Sequence, residues 1–117
     1  MSAEQQREFW DRFYAALDAG DADTASALFN DGTEIYLWDG KVFHTQAEFK
    51  AWFVDLRSRS TGASREIVAF KVTGNRAEIE VVLHADVDGQ PKTVRLTHYT
   101  EFEGDRLVRV EVKINPL

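Results

Sequence analysis

The sequence lacks cysteine altogether, which excludes a disulfide framework, a thiolate nucleophile and a cysteine-ligated zinc site. It also lacks an excess of positive charge, since 14 lysine and arginine residues are outnumbered by 20 aspartate and glutamate residues. Because neutralising phosphates needs clustered cations, we expect neither nucleic acid nor an anionic membrane as a partner. No apolar run is long enough to span a bilayer, and the amino terminus has no signal-peptide pattern. We expect a soluble protein with a small-molecule or protein partner.

Several catalytic motifs are also missing. There is no glycine-rich phosphate loop and no Gly-x-Ser-x-Gly elbow. The three histidines, His44, His84 and His98, have no helical or hairpin spacing that suggests a metal site. We therefore expect no metal.

The hydrophobic pattern predicts helices in the first half of the chain. Residues 1–117 are expected to form a single domain. In two segments, large apolar side chains recur at i, i+3, i+4 and i+7, as on one helical face: Trp10, Phe13, Tyr14 and Leu17, and then Phe49, Trp52, Phe53 and Leu56. A capping box at Thr45–Glu48 begins the later helix, and residues 60–62 are expected to end it. A short helix between them carries Leu28 inward.

The remaining chain has the period of two that is typical of strands. We predict strands at 33–38, 41–44, 65–73, 76–87, 92–103 and 106–114. Their connecting turns are short and carry glycine. Helices followed by an antiparallel meander indicate an α+β fold, in which a cone-shaped, curved antiparallel sheet is packed by three helices. Such a cone leaves a central hydrophobic pocket at its open end.

The two faces of the predicted sheet differ in charge. One face is strongly charged and carries Arg76, Glu78, Glu80, Arg95, Glu101, Glu103, Arg109, Glu111 and Lys113. Because desolvating so many charges is costly, we expect a monomer. The other face is apolar and includes Val108 and Ile114. In register with its residues, His98 and Thr100 point inward.

His98 is the sharpest anomaly of this pattern, because an inward imidazole needs a hydrogen-bond partner. Tyr14, on the inner face of the first helix, is a candidate partner. One interpretation is a core histidine and a core tyrosine that satisfy each other. The other is a polar pair that orients a substrate or moves a proton.

Asp18 is the second anomaly. It lies four residues after Tyr14, on the same helical face, and near the carboxyl end of its helix, where the helix dipole disfavours an anion. Arg65 is a plausible compensating cation. The simpler alternatives are a helix-terminal turn residue for Asp18 and a surface arginine for Arg65.

Two runs, 13–21 and 27–32, resemble the opening of the nuclear-transport-factor-2-like and polyketide-cyclase-like superfamily. The likeness covers the whole chain in element order and implies the cone fold, which hosts many functions. The chain departs from the ketosteroid isomerase branch of this superfamily. The positions of that branch's tyrosine, general-base carboxylate and oxyanion-hole acid hold Phe13, Leu37 and His98, which argues against steroid isomerisation.

A second resemblance, to designed luciferases built on this fold, is closer. It rests on Asp21-Ala22-Asp23-Thr24-Ala25, Leu37-Trp38-Asp39-Gly40, Arg65-Glu66-Ile67 and Val112-Lys113-Ile114-Asn115-Pro116. It extends to Tyr14, Asp18, Arg65 and His98, while Ser60, Leu96 and Val110 are similar to an optimised member. This resemblance implies a synthetic protein that binds diphenylterazine, an imidazopyrazinone luciferin, and oxidises it with O2 as co-substrate. It implies no metal and no organic cofactor, because the substrate supplies the electrons.

In that family, Tyr14 and His98 form one catalytic polar pair, and Asp18 and Arg65 form another. Arg65 is expected to stabilise the substrate anion while Asp18 holds its guanidinium. His98, oriented by Tyr14, is expected to contact the substrate's carbonyl oxygen or ring nitrogen and could accept its proton. The expected apolar walls of the substrate pocket are Phe13, Leu17, Trp38, Phe49, Trp52, Phe53, Leu83, Leu96, Val110 and Val112.

Three other functions compete with this hypothesis. One is a cyclase or dehydratase in which His98 is the base and Asp18 its partner. Another is a non-catalytic protein that binds a hydrophobic ligand in its pocket. The third is a dimerising scaffold without a ligand.

Overall fold

The computed structural model describes residues 1–115, so Pro116, which closes the last motif quoted above, lies outside the described residues. The amino-terminal half contains three helices: α1 (Ala3–Asp18), α2 (Ala22–Ala27) and α3 (Gln46–Ser58). No helix within 1–115 is both long and apolar enough to cross a membrane.

Side-chain caps fix where the helices begin. The hydroxyl of Ser2 accepts a hydrogen bond from the backbone N–H of Gln5, whose side chain accepts one from the Ser2 backbone N–H. At α3, the Thr45 hydroxyl accepts from the Glu48 backbone N–H, as the predicted capping box requires. These caps place the aromatic face of α1 and that of α3 toward the interior.

Six strands form one curved, mixed sheet in the order β2-β1-β6-β5-β4-β3. Their bounds are β1 Glu34–Tyr36, β2 Val42–Phe43, β3 Ser60–Thr73, β4 Arg76–Val87, β5 Gln90–Glu103 and β6 Arg106–Asn115. Helix α1 lies across the inner face of this sheet, where the Phe9 ring meets the Phe102 ring at 5.2 Å. The predicted α+β fold of three helices on one curved sheet is confirmed.

The prediction of a purely antiparallel sheet is wrong at one pairing. Strand β1 runs parallel to β6, with Ile35 opposite Val110. The hairpin of β1 and β2 completes the sheet at the edge of β6, a strand about 70 residues later in the chain. The direction of such a pairing depends on the whole chain path between the strands, which a local pattern of alternation does not contain.

The expected end of α3 at residues 60–62 is also wrong, because these residues already belong to β3. The helix ends at Ser58, and Ser60 pairs with Val87. A register shift follows between Thr61 and Ser64, where Gly62 has a φ of +64°. A glycine that looks like a helix stop therefore forms a bulge at the start of a strand.

The predicted inward orientation of His98 and Thr100 is confirmed, since both are buried. The predicted assignment of β6 residues to the apolar face is wrong at both ends of the strand. Leu107 is buried and Val108 is only half-buried, while Ile114 is 47% exposed. Glu101 pairs with Arg109 and Phe102 pairs with Leu107, so Val108 is an extra residue in β6 and the alternation of inward and outward side chains reverses across it, which turns Leu107 inward.

The outer face of the sheet is covered by ion pairs between its own residues. Arg76 lies 3.0 Å from the Glu101 carboxylate, and Arg109 lies 3.0 Å from that of Glu111. These charges are well solvated, so each pair contributes little to stability, but covering them with another subunit would cost their desolvation.

We therefore predict that the protein is a monomer. Light scattering at micromolar concentration is expected to give the mass of one chain, 13.3 kDa. A dimer mass that persists in moderate salt would contradict this prediction, because it would show that the charged face, or another, makes a stable interface.

Candidate active site

Tyr14 and His98 are brought together from elements far apart in the sequence. Tyr14 projects from the fourth turn of α1, and His98 projects inward from the middle of β5. The Tyr14 hydroxyl lies 2.5 Å from His98 Nδ1, and the two side chains keep only 4% and 7% of their exposure. The predicted contact between these residues is therefore present, and it is buried.

Burial sets the ionisation of this pair. Removal from water, together with the smaller effect of the nearby positive charge of Arg65, lowers the pKa of His98 to about 3. Burial also raises the pKa of Tyr14 well above its usual value, although Arg65 acts against this change. Near neutral pH the site thus holds a neutral imidazole and a neutral phenol in direct contact.

Asp18 and Arg65 form the second predicted pair. Asp18 is the last residue of α1, and Arg65 lies in β3. One carboxylate oxygen accepts from the Arg65 guanidinium at 2.6 Å, and the other accepts from the Arg65 backbone N–H at 3.0 Å. The guanidinium side chain is only 9% exposed, and that of Asp18 is 29% exposed. The carboxylate therefore holds both the backbone and the side chain of Arg65 in place.

The two pairs belong to one cluster. Arg65 is close enough to influence the pKa of both Tyr14 and His98. A cation held in a largely dry setting interacts strongly with its neighbours, because the surrounding medium screens it weakly. The structure thus assembles the four predicted polar residues, although their catalytic roles remain predictions.

Most of the predicted pocket walls lie in the interior. Seven of the ten are buried: Phe13, Leu17, Phe49, Phe53, Leu96, Val110 and Val112. Trp52 and Leu83 are half-buried, whereas Trp38 is 46% exposed and meets the edge of the Trp52 ring. Trp38 follows β1 at the tip of the first hairpin, so it lies at the surface and not inside the cone.

The surface clefts formed by residues 1–115 include two larger ones, and the four polar residues line neither of these. A cleft of about 720 Å³ lies on the charged outer face, between Lys71, Tyr99 and Arg109. Another, of about 590 Å³, lies at the edge of the sheet where β1 ends, and Trp38 and Val112 contribute to it. The predicted central pocket therefore remains a prediction. In the interior, aromatic rings such as Phe13 and Phe49 lie within 6.0 Å of each other.

Trp10 is a further residue of this cluster, although the sequence pattern predicts it only as part of the apolar face of α1. Its ring is completely buried and lies nearly parallel to the His98 ring, at 6.4 Å between centroids. The spacing of four residues between Trp10 and Tyr14 on α1 is the signal that could have placed it there. The Tyr14 ring lies 5.5 Å from the His98 ring and 5.9 Å from the Trp10 ring, so the three rings form one cluster in which the hydrogen bond from Tyr14 orients the imidazole.

The other histidines take no part in this cluster. His44 and His84 are both exposed, and His84 Nδ1 lies 3.0 Å from the Thr93 hydroxyl on the outer face. Within residues 1–115, no group of three or more His, Asp or Glu side chains is arranged to hold a metal ion.

The buried His98 is expected to make stability depend on pH. In the unfolded chain the imidazole titrates near 6.5, whereas in the folded protein it stays neutral down to about pH 3. Between these values the unfolded state binds more protons, so stability falls as pH decreases, by about 1.4 kcal/mol per pH unit. Above about pH 6.5 the imidazole is neutral in both states, so its protonation no longer lowers the stability of the folded protein.

This expectation is checked by urea unfolding at pH 7 and pH 5, for the parent and for His98→Gln. From pH 7 to pH 5, the free energy of unfolding of the parent should fall by about 2 kcal/mol more than that of the variant. The variant is the matched control, because both proteins share every carboxylate that also titrates in this range. Equal losses would show that His98 is protonated in the folded state.

Comparison with known proteins identifies the family. Residues 10–110 match the SnoaL-like domain family, so the chain belongs to that family. No curated protein sequence matches the chain.

Solved structures share the fold at low sequence identity. An NTF2-like protein of unknown function from Burkholderia pseudomallei K96243 is 19% identical, with a TM-score of 0.84 over 98% of this chain and 92% of its own. A hypothetical protein with a ketosteroid isomerase-like fold from Catenulispora acidiphila, in complex with trimethylamine, is 15% identical, with a TM-score of 0.82 over 90% and 83%. An LEH-like epoxide hydrolase from M. tuberculosis is 14% identical, with a TM-score of 0.78 over 92% and 80%. The chain therefore shares its fold with enzymes and with a structure that holds a small molecule.

Proposed function

We propose that the protein is a cofactor-independent luciferase that oxidises an imidazopyrazinone, diphenylterazine, with O2. The observation that supports this most directly is the nearly buried guanidinium of Arg65, held by Asp18 beside a neutral His98. An anionic intermediate in an apolar interior needs such a fixed cation, because water is not there to solvate its charge.

The proposed reaction begins when the substrate loses a proton and becomes an electron-rich anion. The anion reacts with O2 and forms a peroxide at the ring carbon next to the carbonyl group. The terminal peroxide oxygen attacks the carbonyl carbon and closes a dioxetanone ring, while the bond between that carbon and the ring nitrogen breaks and the nitrogen keeps the electron pair. The O–O bond and a C–C bond then break, so that the carbonyl carbon leaves as CO2. The remaining oxygen becomes the carbonyl oxygen of an excited amide, which emits light.

The protein's part in these steps is electrostatic and steric. Arg65 stabilises the substrate anion and the negatively charged peroxide that follows. Tyr14 and Trp10 hold the His98 ring in one orientation toward the substrate. The apolar side chains of the interior exclude water, which otherwise quenches the excited amide.

Adding diphenylterazine to the purified protein in air tests the proposal. Light well above that of a heat-denatured control is the expected result. Tight binding without light would favour a non-catalytic pocket protein. The absence of both would favour the scaffold, or another enzyme class such as a cyclase or a dehydratase, and would overturn the proposal.

A further inference from the structure

The hydrogen bond between Tyr14 and His98 determines which nitrogen of His98 carries a proton. Among residues 1–115, the only hydrogen-bond partner of the Tyr14 hydroxyl is His98 Nδ1. The phenol always has a hydrogen to donate and is 4% exposed, so a donor without an acceptor here would be costly. The hydroxyl is satisfied only if it donates to Nδ1, and Nδ1 must then be unprotonated.

A neutral imidazole with a bare Nδ1 carries its hydrogen on Nε2. No side chain or backbone group of the described residues accepts a hydrogen bond from His98 Nε2. His98 as a whole retains 7% exposure, and Nε2 is not among the fully buried polar atoms without a partner in residues 1–115, so this nitrogen keeps some exposure toward a ligand.

The acceptors of the second pair are also in use. Both carboxylate oxygens of Asp18 accept hydrogen bonds from Arg65, one from the side chain and one from the backbone. The guanidinium has five N–H donors, and its contact with Asp18 engages one of them. The donors that the cluster can still offer a ligand are therefore the N–H of His98 and the remaining N–H groups of Arg65, while the negative charge of Asp18 is already engaged by Arg65.

We propose that this cluster is a donor-only site, which binds its substrate as a delocalised anion through an oxygen and in which His98 donates a hydrogen bond instead of acting as the base. This inference rests on the proposed function for the identity of the ligand. The proton that the ligand loses goes to solvent water as the anion binds. The charged groups that act on the pair come from two elements: Asp11 on α1 and Arg65 on β3.

The protonation of His98 is measured directly by two-dimensional NMR that correlates the ring nitrogens with the ring carbon-bound protons. His44→Gln and His84→Gln variants assign the three histidines. We expect a protonated Nε2 and an unprotonated Nδ1 for His98 throughout pH 5–8. A proton on Nδ1, or a doubly protonated ring at pH 6, would overturn the proposal. This experiment needs no ligand, so its result does not depend on whether the protein emits light.

The donor role is tested with diphenylterazine in oxygen-free buffer, where the absorption spectrum distinguishes the neutral ligand from its anion. The parent is expected to lower the pKa of the bound ligand by one to two units or more. His98→Gln keeps an N–H near the position of Nε2 and should retain most of this shift. His98→Leu has no donor and should raise the ligand pKa by about one unit relative to the parent.

A base and a donor give different outcomes in this experiment. Glutamine cannot accept a proton, so a His98→Gln variant that behaves like His98→Leu would show that His98 acts as a base. If the parent binds the anion but remains dark in air, the luciferase proposal fails while the donor-only site stands. A ligand pKa that is equal in all three proteins would overturn the donor-only site.

Discussion

Replacing His98 by alanine is expected to lower the catalytic efficiency of light emission by about 10²- to 10³-fold, the usual effect of removing one donor aimed at a developing negative charge. His98 is buried beside Trp10 and Tyr14, and alanine at this position has no N–H to donate. The measurement is initial light output against diphenylterazine concentration.

The alanine variant needs a check on its fold, because the Tyr14 hydroxyl loses its acceptor. Leaving this buried donor unsatisfied is expected to cost about 1–3 kcal/mol of stability. Circular dichroism and urea unfolding show whether the folded fraction is unchanged at the assay temperature. His84→Ala is the matched control, since it removes an exposed imidazole from the outer face. If His98→Ala is folded and nearly as bright as the parent, His98 has no catalytic role.

The inward direction of His98 could be predicted from the sequence, because strand alternation in β5 is regular from Val94 to Phe102. The helical spacing likewise placed Tyr14 and Asp18 on one face of α1. These are local patterns with a fixed period, and hydrophobic burial enforces them. The contact between Tyr14 and His98 spans 84 residues of sequence, and no local pattern contains it. The inward faces of α1 and β5 made Tyr14 a candidate partner of His98, and the family resemblance singled out that pairing.

The wrong predictions have physical causes of the same kind. The position of Leu107 depends on an extra residue in the pairing of β5 with β6, which reverses the faces of a strand without any change in composition. The direction of β1 depends on the path of the chain through α3 and four long strands. Trp38 lies just beyond β1, where strand alternation no longer fixes its direction. In each case the direction of a strand or a side chain depends on contacts that the local sequence pattern does not contain.

Arg65 and Asp18 are expected to act as one unit, and a double-mutant cycle on catalytic efficiency measures this. Arg65→Ala removes the cation and leaves the Asp18 carboxylate unpaired, so that it repels the substrate anion. We expect a loss of about 10²- to 10³-fold. Asp18→Ala should be milder, because the guanidinium keeps its charge and loses only the contacts that orient it.

The double variant should lose less than the product of the two single losses, because removing Asp18 as well relieves the repulsion that Arg65→Ala creates. The expected coupling is about 1–2 kcal/mol, or about five- to thirty-fold in efficiency. Asp55 on α3 and Arg59 just after its end form an exposed pair with 3.0 Å between their charged groups, and they provide the control cycle, for which we expect nearly additive and small effects. Strict additivity at Arg65 and Asp18, or an Arg65→Ala protein as bright as the parent, would mean that this pair contributes to folding and not to anion stabilisation. In that case urea unfolding should still show a clear loss of stability, because Arg65 is almost buried and its removal leaves the carboxylate without its cation.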